Sequence, residues 1–72
     1  MLKVSVQLVI EDQRQHHPNV TATEAIEQAL RGKLHHIHAK DPVSRAYAAV
    51  LRHPRQARFD AKEIERREMH RH

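Results

Sequence analysis

Seventy-two residues make one small domain at most, and at this length folding hides only about 60% of the surface that the unfolded chain exposes. With 39% apolar residues, one Tyr, one Phe, no Trp and no Cys, the core is aliphatic and thin, and disulfide frameworks and thiolate metal sites are excluded. Thirteen Lys and Arg against nine Asp and Glu give a formal charge of +4, which points towards anionic partners, and eight His add charge as the pH falls.

The chain opens on an alternating run. Leu2, Val4, Val6, Leu8 and Ile10 fall on one side, with Lys3, Ser5 and Gln7 on the other. This period, rich in β-branched residues, predicts a half-buried strand over 2–10. A lone strand leaves its backbone groups unpaired, so a second copy is expected to pair with it and make a homodimer. If Asn19-Val20-Thr21-Ala22 returns as a short strand instead, a hairpin closes within one chain. Ser5 and Gln7 interrupt the apolar run, so it does not read as a signal-peptide core, and nothing approaches the length of a membrane span. No membrane association and a cytoplasmic location are therefore expected, in keeping with the missing cysteines.

Glu11 to Asn19 is polar and reads as a connection or a very short helix, with Pro18 discouraging helix at its end. Thr21 and Glu24 then have capping-box spacing. Ala22, Ala25, Ile26, Ala29, Leu30, Leu34 and Ile37 recur at helical intervals, predicting a helix over 22–38 that tolerates Gly32. Asp41-Pro42 supplies a cap and a first-turn proline for a helix over 42–52, whose apolar stripe is Val43, Ala46, Tyr47, Val50 and Leu51. His53-Pro54 ends it. A third start is expected at Asp60, with Phe59 and Ile64 at staple spacing, but past Ile64 the segment has almost no apolar face. The expected organisation is an α+β domain over 1–58, followed by a polar C-terminal helix or tail over 59–72 that is exposed or ordered by a partner.

Two groups of side chains stand out as candidate contacts. No acidic residue lies between Pro42 and Phe59, where Arg45, Arg52, Arg55 and Arg58 all fall. Arg45 and Arg52 share a helix face, Arg55 and Arg58 follow on the loop, and guanidinium forks match phosphate oxygens bidentately. The alternative is a solvated face paired with neighbouring carboxylates. The second group is Lys3, Ser5 and Gln7, which on a paired ribbon would project together and reach base edges in a major groove. The strand, together with Asn19-Val20-Thr21-Ala22-Thr23-Glu24-Ala25-Ile26-Glu27-Gln28-Ala29-Leu30, resembles the ribbon-helix-helix regulators over about half the chain. That resemblance implies a dimer that reads DNA through Lys3, Ser5 and Gln7, with Thr21 and the backbone N–H groups after it near a phosphate.

Of the eight histidines, His35 and His38 are on adjacent turns and could share a metal with a third ligand from His16 or His17, but no carboxylate or thiolate is fixed beside any of them by spacing, so they read as solvated side chains and no metal or other cofactor is expected. There is no glycine-rich phosphate loop and no cysteine nucleophile, Ser5 and Ser44 lack an elbow-type context, and no enzyme is expected. The sequence thus predicts a small basic nucleic-acid-binding regulator, binding DNA or alternatively RNA. The competing reading is a protein-binding inhibitor, antitoxin-like or adaptor module that adds its strand or its polar last helix to a partner.

Overall fold

The computed structural model describes residues 2–32 and 41–70, and its regular elements are four α-helices: α1 (Leu2–His16), α2 (Ala22–Arg31), α3 (Pro42–Arg52) and α4 (Pro54–Met69). No strand occurs among the described residues, so the expected α+β fold gives way to an all-helical one. The N-terminal strand is replaced by α1, and the Asn19–Ala22 hairpin strand by a turn leading to the Thr21 cap.

The reason lies in a pattern that serves two periods. Leu2, Val6, Val9, Ile10 and Gln13 are spaced i, i+4, i+7, i+8 and i+11, one face of a helix. Val6, Val9 and Ile10 are fully buried, whereas Val4, on the apolar side of the expected strand, is 61% exposed. Val9 breaks the alternation and belongs to the helical face. No turn residue then intervenes before Pro18, so the helix runs through the polar stretch to His16, and the His17 and Val20 N–H groups donate to the carbonyls of Gln13 and His17. With α1 in place, the unpaired strand that called for a second copy no longer exists.

Thr21 caps α2, its hydroxyl accepting from the Glu24 N–H at 3.1 Å. Rather than continuing through Gly32, α2 stops at Arg31. Gly32 is extended, its N–H still donates to the Gln28 carbonyl, and a Cβ at Gly32 would lie 3.0 Å from that oxygen. Leu34, Ile37 and the His35–His38 group fall outside the described residues. Asp41 caps α3 by accepting from the Val43 N–H at 3.0 Å, with Pro42 in the first turn.

Pro54 both ends α3 and opens α4, since proline is tolerated where a helix begins. This moves the last helix six residues upstream of its expected start at Asp60. Asp60 is therefore buried in mid-helix and accepts from the Gln56 amide instead of capping. Ala57, Ala61 and Ile64 give α4 an apolar face at i, i+4 and i+7, so it packs as part of the domain rather than as a polar tail.

The core unites Val6, Val9 and Ile10 with Ala22, Ala25, Ile26 and Ala29, then Ala46, Tyr47 and Val50, and finally Ala57, Ala61 and Ile64. α1 packs most extensively on α3, and α2 on α4. The many alanines bring helix backbones close, so a chain with few large apolar residues still closes a core. The Cα radius of gyration, 11.4 Å, is that of a compact chain of this length, about 11 Å.

Candidate nucleic-acid interface

Side chains of the α4 acids and of their partners tie the helices together. Arg14 near the end of α1 makes a two-pronged pair with Glu68, at 2.8 and 2.9 Å, while its Nε donates to the Val20 carbonyl at 3.0 Å. Lys3 at the start of α1 donates to Glu63 at 3.1 Å. Glu65 accepts from the Thr23 N–H in the first turn of α2 at 3.0 Å, and hydrogen bonding from the Thr23 side chain, followed by that from its backbone, holds the carboxyl below the usual carboxylate range. Arg58 donates to Glu27 of α2 through Nε at 2.7 Å, lowering the carboxyl pKa and raising that of the guanidinium.

On the seam between α1 and α3, the Tyr47 hydroxyl donates to Asp12 at 2.6 Å and accepts from the Gln13 amide at 2.9 Å. Burial, followed by the bond to Asp12, pushes its pKa up to about 12.

These contacts sort the charges. The carboxylates of Asp12, Glu27, Asp41, Asp60, Glu63, Glu65 and Glu68 each engage another group of the fold. Arg45 and Arg52, one face apart by seven residues, stand exposed on the side of α3 opposite Ala46, Tyr47 and Val50. Arg55, Lys62 and Arg66 recur at i, i+7 and i+11 on the exposed side of α4, opposite Ala57, Ala61 and Ile64. None of these five cations has an ion-pair partner among the described residues. α3 itself contains no acidic residue.

The expected site residues fare differently. Arg45 and Arg52 share a face, as their spacing requires. Arg55 and Arg58 lie on α4 rather than on a loop, and Arg58 is already engaged by Glu27. Lys3, Ser5 and Gln7 do not form one projecting row, because the helical period turns Ser5 away from Lys3 and Gln7. Lys3 is tied to Glu63, and Ser5 and Gln7 are half-buried. At the start of α2, where the ribbon-helix-helix resemblance implies a phosphate, Glu65 takes the Thr23 N–H and the Thr21 hydroxyl takes that of Glu24.

Sequence reasoning missed Lys62 and Arg66. Their seven- and eleven-residue offsets from Arg55 were visible, but only once α4 begins at Pro54 do the three share a helix. Among the described residues no three His, Asp or Glu side chains converge as a metal site. No described helix is long and apolar enough to cross a membrane.

Fold and surface together define a small four-helix protein, over its described residues, with a basic exterior on α3 and α4. No protein-family model matches the chain, and comparisons with curated proteins and with solved structures find no match.

Proposed function

We propose that this protein binds nucleic acid through the phosphate backbone, using the outer faces of α3 and α4. One observation carries the reading: most carboxylates are engaged within the fold, while Arg45, Arg52, Arg55, Lys62 and Arg66 stay exposed and, among the described residues, without an ion-pair partner. Arginine offers planar two-pronged donors to phosphate and lysine a point charge, so the set supplies affinity without requiring a particular base sequence. Lys3 and Arg58, each already held by a carboxylate, contribute less. No catalytic step is part of this reading.

The test is fluorescence anisotropy of labelled oligonucleotides, duplex and single-stranded, titrated between about 50 and 200 mM salt. About five phosphate contacts predict a slope of about −4.5 in log K against log salt on duplex, a loss of roughly 500-fold over that range. The triple variant R45E/R52E/R55E should remove most of the binding at the lowest salt. Absence of binding to both oligonucleotides at 50 mM salt overturns the proposal, as does binding that is indifferent to salt.

A further inference from the structure

Phe59 sits in the middle of the basic face of α4 and is 57% exposed. The chain's only other aromatic residue, Tyr47, is buried at 7% exposure and committed to the α1–α3 seam. A single exposed apolar side chain is ordinary on a protein surface. What sets Phe59 apart is its surroundings. Arg55 precedes it by four residues, Lys62 follows by three and Arg66 by seven, and all three are exposed. On a helix, neighbours three and four residues apart have Cβ atoms about 5–6 Å apart, Arg66 lies about 10.5 Å along the axis from Phe59, and Arg55 to Arg66 spans about 16 Å.

We propose that Phe59, Arg55, Lys62 and Arg66 form a contact site for single-stranded nucleic acid, with the ring against the face of one unpaired base and the cations on the adjoining phosphates. This rests on the backbone-binding reading above and adds the strandedness of the ligand. In a duplex the base faces are covered by their neighbours, so the ring gains nothing there unless it forces a step open. In a single strand every base offers a π-face, and stacking on an aromatic side chain is tolerant of sequence.

Other occupants fit the face less well. A membrane-surface helix needs a broad apolar side, and the apolar side of α4, Ala57, Ala61 and Ile64, is already in the core. A protein partner would dock on an aromatic anchor ringed by residues that exclude water, whereas the helix neighbours of Phe59 are Arg55, Gln56 and Lys62, all exposed, and Glu63, half-buried and held by Lys3.

The experiment compares a short oligothymidylate with a duplex of equal length for wild type, F59A and the charge variant R55E/K62E/R66E, with circular dichroism melts confirming that each variant folds. Wild type should bind the single strand more tightly than the duplex. F59A should lose roughly 5- to 150-fold on the single strand with an unchanged salt slope, and little on the duplex. The charge variant should flatten the slope on both. Because the chain lacks Trp, F59W places a unique fluorophore in the site, and its emission should be quenched by the oligothymidylate. If F59A binds the single strand within twofold of wild type while salt-dependent binding persists, this inference fails and the backbone reading stands. An F59W signal that responds to phosphatidylserine vesicles or polyglutamate but not to the oligonucleotide also overturns it. Loss of all binding in wild type overturns both.

Discussion

Replacing Tyr47 by Phe removes one oxygen from the seam between α1 and α3 and leaves the ring in place. The hydroxyl it deletes donates to Asp12 at 2.6 Å and accepts from Gln13 at 2.9 Å. Tyr47 is only 7% exposed, but Asp12 and Gln13 are half-exposed, so water recovers part of what they lose. The expected cost at pH 7 is about 1–2 kcal/mol, somewhat under the ~1.5–3 kcal/mol of a hydrogen bond to a charged group. At about 4–8 °C per kcal/mol for a domain of this size, the midpoint should fall by at least about 4 °C. The pH dependence gives a second reading of the same bond. The folded state holds the phenol neutral, its pKa raised from 10.0 to about 12, so the stabilisation is complete below pH 10 and is lost as the pH rises through 12. At pH 11.5 that linkage removes about 2 kcal/mol from the wild type and nothing from Y47F. Urea unfolding followed by circular dichroism at pH 7 and from 9 to 11.5 should therefore show the gap between the two proteins closing. A gap that stays constant across that range, or Y47F as stable as the wild type at pH 7, would refute the role assigned to this hydroxyl.

Glu65→Gln weakens the acceptor at the start of α2 and should cost about 0.5–2 kcal/mol at pH 7, read as faster hydrogen exchange at Thr23 than at the α3 amides. Because the Glu65 carboxyl is held below its ordinary range, its contribution is complete above about pH 4.3 and is lost as the pH falls through the folded-state value. Unfolding midpoints of E65Q and wild type should then converge in acid, and a fixed offset down to pH 2 would exclude the contact. Ala61, fully buried on α4, leaves no room for a larger side chain, so Ala61→Leu should destabilise by about 1–3 kcal/mol in thermal melts. An unchanged melt would mean that α4 is not packed as described.

How much of this fold the sequence carries depends on how many signals coincide at each place. At α3 three agree: Asp41 as cap, Pro42 in the first turn, and an apolar stripe of one period. The bounds of α3 follow from them. At α1 the apolar run is short, and three of its residues, Leu2, Val6 and Ile10, satisfy both a period of two and a period of 3.6, so the β-branched valines favour strand in the sequence. Only the burial of Val9 and the long turn-free stretch to Pro18 favour helix, and both depend on what lies across the core. At α4 the apolar face consists of Ala57, Ala61 and Ile64, and alanine is a faint signal on a hydrophobicity scale although it suffices where helices approach closely. Pro54 reads as a stop in the sequence and is also a start. Arg45 and Arg52 were legible as a shared face because their helix was legible. Lys62 and Arg66 were not, because the face they occupy exists only with the correct start of α4. The row of Lys3, Ser5 and Gln7 was an artefact of the strand period.

The same economy that makes the fold hard to read shapes its surface. With a core of alanines and a few valines and isoleucines, the area removed from water is small, and polar contacts are recruited to set how the helices cross. The acids of α4 do much of that work: Glu63 and Glu68 hold the two ends of α1, and Glu65 holds the start of α2. Partly exposed ion pairs of this kind add little stability one by one, but each fixes a register between two helices. A carboxylate drawn into such a tie no longer neutralises its own helix from outside. In a chain with thirteen Lys and Arg against nine Asp and Glu, this use of the acids leaves Arg55, Lys62 and Arg66 to face solvent together around Phe59. The basic face is thus a consequence of how the core is held, and variants that free the α4 acids, such as R14A or K3A, should lower affinity for an anionic strand without touching any residue of the contact site.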